Sequence, residues 1–278
     1  MVQQFHTTSE NCSRIVTENY STSFSSAIRM LHRDLRAPVF NIYGFVRFAD
    51  EIVDTFHDYD KDGLLAHFKK ETYEAIERRI SLNPVLNSFQ RTVNEYNIDR
   101  NLVEAFFHSM EMDLGKKCYD CEGYKEYIYG SAEVVGLMCL YVFCEGNKDL
   151  YHKLESSARA LGAAFQKVNF LRDIKADYIG MSRVYFPGCD FSNFSERDKR
   201  EIEEDILHDF RQAYHGIKRL PLKARFGVYV AYKYYFSLFK KIKRMKPARV
   251  LDSRIRIPNY LKAIIIFQAG IKNQLRMI

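Results

Sequence analysis

Along most of this chain apolar residues recur every three or four positions, the spacing that collects them on one side of a helix. The pattern predicts a short helix over about 10–20, interrupted by the hydroxyl-rich Tyr20-Ser21-Thr22-Ser23-Phe24. From Pro38, a residue suited to a helix start, it continues to about Phe56, and the charged His57–Gly63 reads as a loop. Leu64–Ile80 is amphipathic, Asn83-Pro84 opens a helix ending near Asn97, and Asp99 can cap one that reaches about Lys117. Gly123 marks a turn before a long apolar helix, Tyr124–Cys144, which Gly146-Asn147 closes. The next helix runs from about Asp149 to Asp177, and Tyr178–Phe194 reads as a long loop. Ser195-x-x-Asp198 starts a helix to about Arg219, Pro221 opens an aromatic and basic one to about Met245, and a last helix follows Pro258. No strand, linker or low-complexity stretch interrupts the series. The expectation is one all-α domain over residues 1–278, a bundle of roughly ten helices.

Two of these helices depart from the pattern in the same way. In Phe45–Phe56 (FVRFADEIVDTF), Arg47, Asp50 and Asp54 stack on one face inside an apolar run. In Phe165–Asp177 (FQKVNFLRDIKAD), Gln166, Asn169, Asp173 and Asp177 form a second polar stripe. Stacked aspartates repel by a few tenths of a kcal/mol in water and by more where water is scarce. One D-x-x-x-D is ordinarily a solvated helix face. Two copies, each with an arginine (Arg47, Arg172) and apolar flanks, ask for a shared cation. Carboxylates on two facing helices suit Mg2+ or Mn2+, and Mg2+ commonly completes its shell with substrate phosphate oxygens. The arginine forks suit the same oxygens. With no glycine-rich phosphate loop present, the combination points to a diphosphate held through metal ions, whose departure needs its charge neutralised.

Composition enlarges this picture. Apolar residues are 47% of 278 and charged ones 28%, which describes a globular protein and excludes wholesale disorder. The 21 Phe and 19 Tyr suit either a core or the lining of a deep apolar pocket, where ring faces stabilise a carbocation without attacking it. Tyr127-Ile-Tyr129-Gly130-Ser131-Ala132 opens the most apolar helix; Gly130, Ala132 and Gly136 leave room for apolar chains or for close helix packing. A net charge of +7 favours an anionic partner. In Lys223–Lys246 aromatics alternate with Lys and Arg: the plain reading is an amphipathic helix with a solvated basic face, peripheral membrane contact comes second, and nucleic acid is disfavoured by the aspartate stripes. The absence of a signal-peptide pattern and of a run of about 18 apolar residues points to a cytoplasmic protein, at most peripheral on a membrane. Cys118 and Cys121 lack a second pair, and the eight His form no nucleophile arrangement.

Taken together, Tyr20-Ser-Thr-Ser-Phe24, Arg47-x-x-Asp50-Glu-x-x-Asp54, Tyr127-x-Tyr-x-x-Ala132 to Gly136, Gln166-x-x-Asn169-x-x-Arg172-Asp173-x-x-x-Asp177 and Arg183-Val-Tyr185-Phe-Pro187 resemble the squalene/phytoene synthase family, in the family's order and spacing. The resemblance implies an isoprenoid synthase-like bundle around a central cavity and head-to-head condensation of two prenyl diphosphates. It implies that Asp50, Asp54, Asp173 and Asp177 hold Mg2+ or Mn2+ with help from Asn169, and that Gln166 lines the cavity beside them. Ser21, Ser23, Arg47, Arg183 and Tyr185 would contact diphosphate, Tyr127 would face the reacting centre, and Tyr235 matches a later family tyrosine. Ionisation of one substrate gives an allylic cation that the second traps as a cyclopropylcarbinyl diphosphate; this ionises again and rearranges. Proton loss then gives phytoene, whereas hydride from NADPH gives squalene. The tyrosine segment favours phytoene synthase acting on two geranylgeranyl diphosphates, in carotenoid biosynthesis and without NADPH. A farnesyl-using dehydrosqualene or squalene synthase is the alternative, and a non-catalytic basic helical module binding membrane or nucleic acid is the alternative of another class. Two positions depart from the family: Tyr20 replaces its usual His, and Glu133 its usual Gly, so that Glu133 must face away from the cavity or pair with a basic residue.

Overall fold

The computed structural model describes residues 1–115, 119–175, 185–189, 194–251 and 255–275. Asp177 and Arg183, both expected in the site, and Cys118 lie outside the described residues. Among those described there is no strand, and the expected all-α architecture holds. The helices are α1 (Val2–Tyr20), α2 (Thr22–Ile28), α3 (Arg33–Thr55), α4 (Lys61–Arg78), α5 (Pro84–Tyr96), α6 (Arg100–Gly115), α7 (Cys121–Ile128), α8 (Val134–Cys144), α9 (Lys148–Lys175), α10 (Glu196–Ile217), α11 (Leu222–Lys243), α12 (Pro247–Val250) and α13 (Asn259–Gln274). A single π-helical turn, Tyr129–Glu133, joins α7 to α8.

Where local chemistry is strong, ends and caps fall as expected. Asn83 caps α5 ahead of Pro84, and Ser195 with Asp198 forms a reciprocal capping box on α10. Four differences have physical causes. First, α1 begins at Val2 rather than near residue 10. Its buried face is Ser9, Ser13 and Thr17, and it packs on α5 through a polar seam: Ser13 Oγ lies 2.6 Å from Ser88 Oγ, and Asn87 Nδ2 donates to Ser9 Oγ at 2.9 Å. Small hydroxyls leave no apolar periodicity to read.

Second, the break at Tyr20–Phe24 is one residue long. Ser21 is extended, and its Oγ accepts from the Phe24 amide at 3.2 Å to start α2. Third, Pro38 lies inside α3, five residues past its start. The carbonyl its ring deprives of a partner belongs to Asp34 on the exposed first turn, where water can serve instead. Fourth, Gly123 is not a turn but part of the first turn of α7, its amide donating to Asp120 Oδ1 at 2.8 Å. Through the π turn, Cys121–Cys144 then forms one helix of 24 residues containing an 18-residue window with a mean hydropathy of 1.5, long and apolar enough to cross a bilayer by length and composition. No such segment was expected from the apolar runs. It is half buried within the bundle, and Val134, Leu137, Met138 and Val142 sit in the core.

The core centres on α3 and α9. Phe45 stacks on Phe89 with ring centroids 3.8 Å apart, and Phe106 and Phe107 close around it. Helix α9 lies against the π turn and α8 at backbone distance: a Cβ at Gly162 would come within 2.6 Å of the Ala132 carbonyl, and one at Gly136 within 2.9 Å of that of Ala158. The aromatic face of α11 is also core, with Tyr229, Tyr232, Tyr234, Tyr235 and Phe239 buried. Lys223–Lys246 therefore has no free aromatic face, only exposed basic residues at its end.

Candidate active site

One elongated cavity of about 260 Å3 runs inside the bundle between α2, α3, α8, α9 and α11. At one end stand Asp50 and Tyr43 of α3 with Gln166 and Asn169 of α9; the remaining wall is almost wholly apolar, down to Leu31, Phe143, Leu154 and Leu220. From Asn169 to Leu154 the wall spans about 22 Å of α9 at ~1.5 Å per residue. Of the three small residues with two possible roles, Ala132 and Gly136 line this cavity, Gly136 also serves close packing, and Gly130 serves packing, a Cβ there colliding with the Ala105 carbonyl.

The polar end is short of compensating charge. About a third of the Asp50 side chain is open, and the residue lines the cavity. Burial, and then the neighbouring Asp54 charge, push its carboxyl up to about 7, against the pull of Arg47. Arg47 Nη1 is 3.9 Å from Asp50, while Nη2 donates to Glu51 and the guanidinium lies over the Tyr20 ring at 4.4 Å from its centroid. Tyr20 thus packs under the arginine. Arg47 Nε is buried with no partner among the described residues. On α9, Arg172 Nε donates to Asp173 Oδ2 at 3.1 Å, so this arginine is paired with its own stripe.

Two features bear on whether a divalent cation fits. Asn169 Oδ1 is buried without a hydrogen-bond partner among the described residues, and Arg47 comes no nearer to Asp50 than 3.9 Å. The Asn169 oxygen and the Asp50 carboxylate are both hard oxygen donors of the kind Mg2+ takes. Among the described residues no three His, Cys, Asp or Glu form a closed cage, and an open oxygen set is what a metal sharing phosphate oxygens requires. The donor chemistry fits.

The remaining expected residues divide into two groups. Ser21 and Ser23 sit at the start of α2, whose Phe24 lines the cavity. Tyr235 is buried and stacks on Phe165 with centroids 4.0 Å apart. Burial raises its hydroxyl pKa, and Arg172 opposes that. Tyr127 and Tyr185 lie elsewhere, in an aromatic stack with Phe170. The Tyr127 hydroxyl donates to Asp113 Oδ2 at 2.6 Å, and its pKa is raised well above the ordinary value by burial and by that carboxylate.

Residues to which the motifs gave no role are Tyr43, Phe165, Glu51 and Asp113. Tyr43 and Phe165 frame the polar end with Phe24, which lies 5.1 Å from Tyr43 and 6.0 Å from Phe165; Glu51 holds Arg47, and the charge of Asp113 helps to raise the Asp50 pKa. Tyr43 is four residues before Arg47 and seven before Asp50, on the face of the stripe, so helical spacing could have found it. Asp113 could not be found that way, because its partners come from another helix. Glu133 takes the second of its two expected courses and pairs with a basic residue: Arg159 Nε donates to it at 2.6 Å, and the Arg159 guanidinium lies over Tyr129.

The family model described as squalene/phytoene synthase matches residues 17–260. The 4,4'-diapophytoene synthase of Staphylococcus haemolyticus is 26% identical over 70% of this chain and 67% of its own length. The phytoene synthase of Cereibacter sphaeroides is 27% identical over 81% of this chain and 69% of its own. A solved dehydrosqualene synthase in complex with ligand shares the fold at 18% identity, with a TM-score of 0.85 over 99% of both chains. These relatives set aside the reading of a non-catalytic basic module. The chain belongs to the squalene/phytoene synthase family of prenyltransferase enzymes.

Proposed function

We propose that this chain condenses two geranylgeranyl diphosphates head to head, through a cyclopropylcarbinyl diphosphate, to phytoene, a step of carotenoid biosynthesis. One observation carries the reading: a cavity with the Asp50 carboxylate, Tyr43, Gln166 and Asn169 at one end and an almost wholly apolar wall for about four turns of α9 beyond it. Mg2+ or Mn2+ held by Asp50, Asp54, Asp173 and Asn169, together with Asp177, would neutralise the departing diphosphate. Arg47 offers the unpartnered Nε of a fork already held by Glu51 and Tyr20, and Ser21 and Ser23 supply hydroxyls at the same end. Arg183, Tyr185, Gln166 and Tyr235 complete the diphosphate and cavity contacts in this reading, and Tyr127 acts through the stack beside them.

The rings of Phe24, Tyr43 and Phe165 border the place where positive charge would develop. Burial raises the Tyr43 pKa, helped by the charges of Tyr235 and Asp50, so its hydroxyl stays neutral and presents a ring face rather than a phenolate nucleophile. The apolar wall excludes the water that would quench a carbocation. No reductant enters this reading, since phytoene forms by proton loss. A hydrocarbon product is insoluble in water, so peripheral membrane contact of a cytoplasmic enzyme belongs to the same proposal.

The length of the cavity supports the C20 substrate. Its volume of about 260 Å3, at the low end for ligand sites, speaks for the farnesyl alternative. Incubation with either diphosphate and Mg2+, with and without NADPH, decides by product mass. A C40 triene without NADPH is the expected product; a C30 product from farnesyl diphosphate alone would overturn the choice of substrate.

A further inference from the structure

Helix α13 rests on α11 through Ile265 and Ala269, yet its opposite face is also apolar. Tyr260, Ile264, Phe267, Ile271 and Leu275 follow one another at intervals of four, three, four and four residues, which places them in one stripe. All five are exposed, Phe267 at 70% and Tyr260 at 66%. A surface helix packed on one side ordinarily turns polar residues outward, so a second apolar face of this length asks for an occupant.

The charge around the stripe says which. Residues 210–278 hold 17 Lys and Arg against one acid, Asp252, in a chain whose net charge is only +7, so the preceding part is net acidic. On α11 beside the stripe, the Lys233 ammonium is held below the ordinary lysine value by burial and by Lys272 and Lys240, with no carboxylate acting on it. Two copies pressed face to face would bring these cations together. A nucleic acid would meet five apolar side chains that offer nothing to its phosphates. An anionic lipid surface accepts both features, taking the rings and aliphatic groups among its acyl chains and the ammonium groups among its headgroups.

We propose that the outward face of α13, with Lys233, Lys240 and Lys272 at its edge, docks the protein on an anionic lipid bilayer. The face lies one helix from the cavity: Lys262 Nζ donates to Thr22 Oγ1 at 2.6 Å, tying the start of α13 to α2, and α11 beneath contributes Val228 and Ala231 to the cavity wall. The aromatic and basic α11 segment serves as the support and not the lipid-facing surface.

The test is sedimentation of the full chain with phosphatidylcholine vesicles, with or without about a third phosphatidylglycerol, in the absence of substrate. Binding at least about tenfold stronger to the anionic vesicles is expected. Ile264→Asp with Phe267→Asp should reduce it at least about tenfold, and Lys240→Glu with Lys272→Glu should remove the preference for anionic lipid. Thermal melting and activity on detergent-dispersed substrate should match the unmodified protein in both variants, which separates vesicle binding from folding and from catalysis. Any of three results overturns the inference: no vesicle binding, equal binding by the aspartate variants, or a dimer in sedimentation velocity that Phe267→Asp dissolves. Capture of an oligonucleotide that displaces the vesicles and is itself lost in the Lys variants would overturn it in favour of nucleic acid.

Discussion

Helix α9 carries two acidic neighbourhoods that differ in one respect. On its α10 side, Lys167 Nζ lies 2.5 Å from Asp205 and 2.8 Å from Asp209, so the carboxylates have a cation of the protein's own. Burial still raises the Asp209 pKa, but Lys167 opposes it directly. At the other neighbourhood, where α9 meets α3, Asp50 has Arg47 no nearer than 3.9 Å, and that arginine is engaged by Glu51. A buried charge whose partner is built in belongs to the scaffold; one whose compensation is incomplete is available to a ligand. The same helix shows both: Lys167 is two residues from Asn169, the start of the Asn169–Asp173 part of the stripe, which turns it a little more than half a turn away.

The comparison breaks most visibly in activity. Asp50→Ala and Asp173→Ala should each lower kcat by about a hundredfold or more, the scale for removing charge stabilisation of a leaving group, with unchanged circular dichroism; Asp50→Ala should lose no thermal stability, whereas Asp173→Ala also gives up its ion pair with Arg172. If both variants retained full activity in a diphosphate-release assay, the metal-diphosphate site would be wrong. Lys167→Met should do the reverse. Leaving Asp209 buried without its cation costs about 3 kcal/mol of folding stability in urea titration, while kcat in the surviving folded fraction stays near normal. An inactive but fully stable Lys167→Met protein would erase the distinction between the two neighbourhoods.

A smaller effect follows from the Asp50 carboxyl, raised to about 7 in the folded protein from its ordinary value of 3.8. Between these values the folded chain keeps a proton that the unfolded chain has released, so stability without divalent ions falls as pH rises from about 4 to about 7 and then levels. Asp50→Asn should flatten that slope and be more stable at pH 8 by about 1–2 kcal/mol, a figure reduced for the third of the side chain that is open. Identical slopes for the two proteins would show that Asp50 is solvated like a surface residue. The smallest change is expected at Glu133. Because Arg159 is half exposed, Glu133→Gln should cost about 0.5 kcal/mol and leave kcat unaltered. A large drop in kcat would place Glu133 in the reaction rather than on the outer side of the π turn.

Much of the site was legible because helical spacing decides which side chains share a face. Arg47, Asp50 and Asp54 on α3, and Gln166, Asn169 and Asp173 on α9, sit at intervals of three and four residues, and the structure puts Asp50, Gln166 and Asn169 on one cavity wall. Tyr43 belongs to the same arithmetic. Tyr127 shows its limit. Its motif marks it, but the hydroxyl goes to Asp113, fourteen residues earlier on another helix, and no spacing rule predicts that pairing.

Sequence by itself determined the helical class, the two acidic stripes and the family motifs, since periodicity and spacing are properties of a single helix. It could not determine what covers each face. The buried side of α1 is a hydroxyl seam matched by Asn87 and Ser88 of α5. The aromatic face of α11 turns to the core, and the apolar stripe of α13 turns to solvent. Whether Arg47 would meet Asp50 or Glu51, and whether the Asn169 oxygen would find a donor, were likewise decided by neighbours brought in from distant parts of the chain. A pattern says which residues look the same way, and only the packed structure says what they look at.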